Sequence, residues 1–141
     1  MPVDKISEEW VVMRYFREKY PDFPKGRLVK SESPDFVLQV NRKKRIGIEL
    51  TRFDYLANEA GSRNVLFQQL MYLIRQKEDK LRIYQKKLLN EYWLIISTES
   101  PEIFTEVMNN LPDSRVFTPS YDKVFLFDLF SGRITEKHEL F

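Results

Sequence analysis

The spacing of apolar and polar residues along the chain predicts nine helices and strands. Stretches in which apolar residues recur every three or four positions predict helices, and short apolar runs bounded by polar residues predict strands. This order predicts an α/β fold with a mixed central sheet that has the hairpin of the second and third strands at its centre. In chain order the pattern predicts a helix, three strands, a helix, a strand, a helix and two strands, at 7–19, 27–31, 35–40, 45–51, 62–89, 92–97, 101–110, 123–129 and 133–137.

The longest predicted helix, 62–89, carries one apolar stripe that contains a lysine. Lys77 lies at the centre of the stripe, where a core-facing residue is expected. Such a lysine either extends its ammonium group to solvent or turns it toward an acidic group on the sheet, and the pattern leaves both interpretations open. The apolar members of the stripe fall within about 40° of one direction at 100° per residue: Leu66, Leu70, Leu73, Leu81, Tyr84 and Leu88.

Composition narrows the class of protein. The 141 residues suffice for a single domain, 1–141, and the apolar content of 43% excludes intrinsic disorder. The absence of cysteine excludes disulfide scaffolds, thiol nucleophiles and Cys-based zinc sites. A single histidine, His138, excludes multi-histidine metal sites and most Ser–His hydrolases. No apolar run approaches the roughly 18–20 residues of a membrane span, so we expect a cytoplasmic protein without membrane association.

Two acidic residues stand where a carboxylate is costly. Asp35 follows Pro34 at the start of one predicted strand, and Glu49 lies in the next strand between Ile48 and Leu50. A carboxylate within an apolar strand is unfavourable unless it is paired or binds a metal ion. Carboxylates without His or Cys neighbours favour Mg²⁺ or Mn²⁺ over zinc. The pattern therefore indicates a site for Mg²⁺ or Mn²⁺ on these two acids.

The length of the turn between the two strands decides whether the acids meet. A two-residue turn over 42–43 pairs Phe36 with Glu49 and puts the two carboxylates on opposite faces of the sheet. A five-residue turn over 41–45 pairs Val37 with Glu49 and brings both carboxylates to one face. Both strands are apolar on both sides, so the pattern leaves the two registers open, and the metal site requires the second.

These residues resemble the motif of the PD-(D/E)xK nuclease-like superfamily, also called restriction-endonuclease-like. Pro34 and Asp35 correspond to the PD pair, and residues 49–51 (ELT) stand where (D/E)xK is expected. The predicted elements over 7–97 also resemble the αβββαβ core of that superfamily, followed here by a helix and a hairpin. The resemblance implies a nuclease that hydrolyses phosphodiester bonds with Mg²⁺, with Asp35 and Glu49 as metal ligands.

The chain departs from the superfamily motif at the lysine, where Thr51 supplies only a hydroxyl. Superfamily members that resemble this pattern sometimes carry the lysine on the following helix, which makes Lys77 the candidate substitute. A third acid often comes from the first helix, where Glu9 is the candidate; alternatively, Glu9 only complements the helix dipole. The residues expected to be catalytic are Asp35, Glu49, Lys77 and Thr51, and the expected metal ligands are Asp35, Glu49 and Glu9.

Basic residues on the long helix and in the turn before the third strand suit a phosphate backbone, although a solvated surface is the alternative. The leading hypothesis is a Mg²⁺-dependent nuclease acting on DNA or RNA. A second is a catalytically inactive module of the nuclease fold that binds nucleic acid or assembles with protein, a homodimer included. A third is an unrelated α/β protein in which Glu49 and Lys77 form a buried ion pair. The expected nucleic-acid contacts are Arg42, Lys43, Lys44, Arg45 and Lys80.

Overall fold

A computed structural model describes residues 5–53, 63–84, 89–110 and 121–136 of the chain. Within these ranges the three helices and six strands follow the order that the apolar pattern predicts. Residues 62 and 85–88 of the predicted long helix lie outside the described residues, and Leu89, its predicted last residue, is not helical. In chain order the elements are α1 (Lys5–Lys19), β1 (Arg27–Lys30), β2 (Phe36–Gln39), β3 (Arg45–Arg52), α2 (Arg63–Tyr84), β4 (Glu91–Thr98), α3 (Pro101–Asn110), β5 (Lys123–Asp128) and β6 (Ile134–Glu136).

The six strands form one open mixed sheet in the order β1-β2-β3-β4-β5-β6. The strands β3, β4 and β5 are parallel, whereas β1, β2 and β6 each pair antiparallel. The prediction that the β2–β3 hairpin occupies the centre of the sheet is wrong. The helix α2 returns the chain so that β4 pairs in parallel with β3. This connection makes β3 and β4 the central pair and leaves β1 and β2 toward one edge.

Helices cover both faces of the sheet, and each face has its own core. On one face, Met13 and Phe16 of α1 pack against strand residues that include Trp93, whereas α2 and α3 pack on the opposite face. The strand β4 lies between the two cores, and all its residues from Tyr92 to Thr98 are buried. This burial is typical of a strand that is covered on both faces of the sheet, and it confirms a strand at 92–97. Among the described helices, none has the length and apolar character of a membrane-spanning segment.

The turn between β2 and β3 has neither of the two predicted lengths. The Val40 N–H donates to the Lys44 carbonyl at 3.0 Å, which closes a loop of three residues. The Asn41 side-chain oxygen accepts hydrogen bonds from the N–H groups of Lys43 and Lys44, both at 2.8 Å. An Asn side chain that binds the backbone two and three residues ahead stabilises a compact turn. The predicted two-residue and five-residue turns are therefore both wrong, and the observed register, which pairs Phe36 with Ile48, matches neither prediction.

Glu91, at the start of β4, couples the stability of the fold to pH. Its carboxylate accepts a hydrogen bond from Trp93 Nε1 at 3.1 Å and lies 3.0 Å from Lys44 Nζ. Burial opposes ionisation of this group, but these two contacts outweigh burial and hold the pKa of Glu91 below its usual value of 4.5. The ionised carboxylate therefore stabilises the fold above pH 4.5, and this contribution is lost as the pH falls through the lowered pKa.

Replacing this group by an amide gives a first testable prediction. We expect Glu91→Gln to lower the melting temperature at pH 7 and to lower it less at an acidic pH below the lowered pKa of Glu91, because the protonated carboxyl of the native chain then resembles the amide. Scanning calorimetry at the two pH values measures the difference. An equal loss of stability at both would show that the charge of Glu91 contributes nothing.

Candidate active site

A cavity of about 540 Å³ lies at the end of the sheet where β3 and β4 terminate. Ligands of open α/β sheets commonly bind at the carboxyl ends of parallel strands. The start of β2 lies at the same end, because β2 runs antiparallel to β3. The cavity also contains Lys80, which the sequence indicated only as a nucleic-acid contact. It brings together the five residues predicted to be catalytic or metal-binding: Glu9, Asp35, Glu49, Thr51 and Lys77.

The hairpin register sets the two central acids against each other. Phe36 of β2 pairs with Ile48 of β3, and the same register extended by one residue brings Asp35 opposite Glu49. Residues directly opposite in an antiparallel pair project from the same face, so both carboxyl groups face the cavity. Glu49 is 1% exposed, which makes it a deeply buried acid in the middle of a sheet.

Asp35 is held by several hydrogen bonds. One carboxylate oxygen, Oδ2, accepts the Leu50 N–H at 2.8 Å. Burial raises the pKa of Asp35. Four contacts lower it: hydrogen bonds with the side chain of Glu49, the N–H of Leu50 and the side chain of Glu9, and the charge of Lys30. These contacts outweigh burial, so the pKa of Asp35 lies below its usual value of 3.8. Asp35 is therefore ionised at neutral pH and lies between two other carboxyl groups.

Lys30, at the end of β1, supports the site from the side opposite Glu49. Its ammonium donates hydrogen bonds to the carbonyls of Ser31 at 2.6 Å and Asp35 at 2.9 Å. The same nitrogen lies 3.7 Å from Glu9 Oε2 and 5.1 Å from the centre of the Phe36 ring. Lys30 thus fixes the loop that precedes β2 and the side chain of α1 that enters the site. Lys30 was not predictable as a site residue, because its proximity to the site depends on the pairing of β1 with β2.

Two lysines of α2 approach the buried Glu49. The distances from Glu49 Oε1 are 3.9 Å to Lys77 Nζ and 3.8 Å to Lys80 Nζ. Residues three apart on a helix lie on one side of it, so both ammonium groups reach the same oxygen. The Lys77 side chain is 20% exposed and that of Lys80 is 46% exposed. Lys77 therefore turns toward an acid of the sheet, which was one of the two orientations its sequence position left open.

Thr51, at the position of the expected lysine, lines the cavity two residues after Glu49. Residues two apart in a strand share a face, so Thr51 lies beside the carboxyl pair. Its carbonyl accepts the hydroxyl of the buried Ser97 of β4 at 3.4 Å. Ser97 also lines the cavity, and nothing in its sequence context distinguished it from other residues of a buried strand.

The basic turn lies far from these groups. Residues 42–45 are exposed at the opposite end of the hairpin, and Lys44 pairs with Glu91 at 3.0 Å. Four residues of strand separate Arg45 from Glu49, which corresponds to about 13 Å. Of the basic residues predicted to contact nucleic acid, Lys80 is the one that lines the cavity.

The acids of the cavity form a small set of ligands for a divalent cation. In the described ranges, no group of three or more acidic or histidine side chains is arranged to hold a metal ion. Proteins usually hold Mg²⁺ through one or two carboxylates and leave its other positions to water and substrate phosphates. Asp35 and Glu49 fit this smaller donor set, because they present two carboxyl groups in hydrogen-bond contact within a buried hairpin.

Comparisons with known proteins return nothing that resembles the chain: no protein-family model, no curated protein and no solved structure matches it. The resemblance to the PD-(D/E)xK superfamily therefore stays a prediction from sequence. The evidence for function is the cavity itself, in which Glu9, Asp35 and Glu49 lie together with Lys77 and Lys80.

Proposed function

We propose that the protein is a Mg²⁺-dependent nuclease that hydrolyses phosphodiester bonds in nucleic acid at this cavity. One observation carries the proposal: Asp35 and Glu49 meet across a hairpin, and two lysine ammonium groups lie within 4 Å of Glu49 Oε1. Carboxylates that bind a cation beside lysines that bind phosphate are the components that phosphodiester hydrolysis needs. The location at the carboxyl ends of parallel strands supports the same conclusion.

Each side chain has a distinct role in this proposal. Asp35 and Glu49 hold the cation, and Lys30 orients Asp35 and Glu9 from outside the cavity. Lys77 binds a non-bridging phosphate oxygen and stabilises the negative charge that grows as water attacks phosphorus. Thr51 offers a hydroxyl that orients the attacking water. When bound, Mg²⁺ supplies Lewis-acid polarisation of the phosphate and lowers the pKa of a water molecule.

A second candidate function is a catalytically inactive module of the nuclease fold that binds nucleic acid or assembles with protein. Two observations favour it. Thr51 replaces the motif lysine, and the buried carboxyl group of Glu49 already has two ammonium partners in Lys77 and Lys80. Such a protein keeps the ion pairs for stability and does not need a cation. The two candidates differ in whether a substrate is cut.

A digestion assay distinguishes the two candidates. Labelled single-stranded and double-stranded DNA and RNA are incubated with Mg²⁺ and with the native chain, Asp35→Asn or Glu32→Gln. Asn keeps an acceptor for the Leu50 N–H but removes a charged ligand, so we expect cleavage by this variant to fall at least about 10²-fold. Glu32 is exposed and does not line the cavity, so its variant should cleave normally. If the native chain cuts no nucleic acid, the nuclease proposal is wrong.

Cation binding should also be visible in the stability of the protein. A ligand that binds only the folded state stabilises it by RT ln(1 + [L]/Kd), or about 2.7 kcal/mol at 100 times Kd. We therefore expect saturating Mg²⁺ or Mn²⁺ to raise the melting temperature by about 5–10 °C in a domain of this size. Asp35→Asn should lose this response and Glu32→Gln should retain it, as measured by calorimetry. An unchanged melting curve in millimolar Mg²⁺ and Mn²⁺ would rule out the metal site.

A further inference from the structure

The cavity has two chemically different walls. One is charged and contains the carboxyl groups of Asp35 and Glu49 and the two lysines of α2. The other, called the apolar wall here, consists of Val11, Val12 and Tyr15 on α1, with Leu129 after β5; the first turns of α1 also contribute Glu8 and Glu9 to the cavity. Water, a cation and a phosphate all require polar partners, so the hydrolysis proposed above makes no use of the apolar wall. This wall indicates that the ligand has an apolar part as well as an anionic one.

Val11 shows that the apolar wall is open to a ligand. Its side chain is 64% exposed, whereas most apolar side chains of α1 that turn toward the sheet are covered. The described residues include four other large apolar side chains that are exposed, and Val11 alone among these five lines the cavity. Val11 thus leaves apolar surface in water within the same cavity as the carboxyl pair.

The charge of the cavity limits how strongly phosphate alone can bind. Five acidic and three basic side chains line it, and one of the basic groups, Arg52, is already paired with Glu99 at 2.9 Å. Nucleic-acid binding through phosphates depends on an excess of basic groups, which this cavity does not have. A substrate therefore needs additional contacts to bind here, and the apolar wall can provide them.

We propose that the site acts on unpaired nucleic acid, with a base against the apolar wall and its phosphate at Lys77 and Lys80; this inference rests on the proposed function. In a duplex the bases are stacked and expose only their edges in the grooves. In an unpaired strand the face of a base is free to pack on aromatic or apolar side chains. A cavity of about 540 Å³ also has the size of a pocket for one small ligand, so it suits a single nucleotide better than a duplex.

Binding measurements test this inference without relying on cleavage. Fluorescence anisotropy is recorded with Asp35→Asn and three labelled DNA ligands of equal length: a single strand, a single strand of abasic residues, and a duplex. The abasic strand keeps every phosphate and lacks every base. We expect the ordinary single strand to bind at least tenfold more tightly than the abasic strand and the duplex. Equal affinity for the three ligands, or no binding of any of them, would overturn the inference.

A pair of valine variants tests whether the base contacts the apolar wall. In the same background, Val11→Ser should weaken binding of the ordinary single strand about threefold to tenfold, because it removes apolar surface that the base covers. It should leave the affinity for the abasic strand unchanged. The matched control is Val29→Ser, since Val29 is 40% exposed but lies on β1 outside the cavity; this variant should bind all strands normally. If Val11→Ser weakens the abasic strand equally, the base does not lie against this wall.

The outcomes separate this inference from the nuclease proposal. A native chain that cuts duplex and single strands at equal rates would overturn the inference and leave the nuclease intact. A native chain that cuts nothing, combined with preferential binding of the ordinary single strand, would overturn the nuclease and support the unpaired-base site.

Discussion

A Lys77→Met variant is expected to cleave nucleic acid about 10²–10⁴ times more slowly than the native chain, which corresponds to roughly 3–5 kcal/mol of transition-state stabilisation. Lys77 is the less exposed of the two lysines, and its ammonium lies 3.9 Å from the buried Glu49. An ammonium in such a site stabilises the charge that develops on phosphate more strongly than one in water. Methionine keeps the length and apolar stem of the side chain, so α2 should stay packed. Single-turnover kinetics at saturating Mg²⁺ measure the loss.

Two companion variants control this experiment. Lys80→Met should slow cleavage only about tenfold, because the more exposed ammonium is more strongly screened by solvent. Thr51→Lys in the Lys77→Met background should restore part of the rate, since it supplies the same charge from the strand. If Lys77→Met and Lys80→Met lose equal amounts of activity, Lys77 has no special role. If Thr51→Lys restores no cleavage, a lysine at position 51 on β3 cannot replace Lys77 on α2.

Removing both lysines is expected to destabilise the fold by about 3–5 kcal/mol at neutral pH, the usual cost of leaving one partner of a buried ion pair without compensation. Glu49 is 1% exposed and both ammonium groups contact its Oε1. In Lys77→Met/Lys80→Met these two cations are lost while the acidic neighbours Asp35 and Glu9 remain. Chemical denaturation monitored by tryptophan fluorescence measures the free energy of unfolding.

The matched control for the double variant is Glu49→Gln added to it. The amide carries no charge, so it should restore most of the lost stability if the buried carboxylate caused the loss. Should the triple variant be as unstable as the double variant, the lysines stabilise the protein through the packing of their stems. Should the double variant be as stable as the native chain, the ion pairs contribute nothing to folding.

The order of helices and strands and the identity of the two central acids were predictable from sequence. Both follow from local signals. Apolar periodicity defines each helix and strand, and an acid inside an apolar strand is conspicuous because burial without a partner is unfavourable. Lys77 was identifiable as unusual for a similar reason, since a cation inside an apolar stripe needs an acidic neighbour or an exit to solvent, but the pattern did not decide between the two.

The hairpin register was not predictable from the apolar pattern, because β2 and β3 have apolar residues on both faces. The interactions that set the register are two hydrogen bonds, which the Asn41 side-chain oxygen accepts from the N–H groups of Lys43 and Lys44. An Asn at the first position of a turn is a recognised signal for this geometry, so it offered the one available indication of a compact loop.

The roles of Lys30 and Lys80 required knowledge of the tertiary structure. Lys30 joins the site because β1 pairs with β2, and Lys80 joins it because α2 crosses the sheet beside β3. Neither lysine stands in an unusual local sequence, so the sequence does not distinguish either of them from a lysine on an exposed surface. The central position of β3 and β4 likewise depends on where α2 directs the chain, which no local pattern specifies.

The separation of the site residues along the chain has a consequence for how the protein folds. Asp35 and Glu49 are 14 residues apart and meet within one hairpin, whereas Lys77 follows Glu49 by 28 residues. The isolated hairpin therefore brings acids together without the cations that α2 supplies. Docking of the helix supplies the ammonium partners of the buried Glu49, so the hairpin and the helix stabilise each other. This mutual dependence is the basis of cooperative, all-or-none folding, and the residues that compose the candidate site thereby join the two halves of the chain into one folding unit.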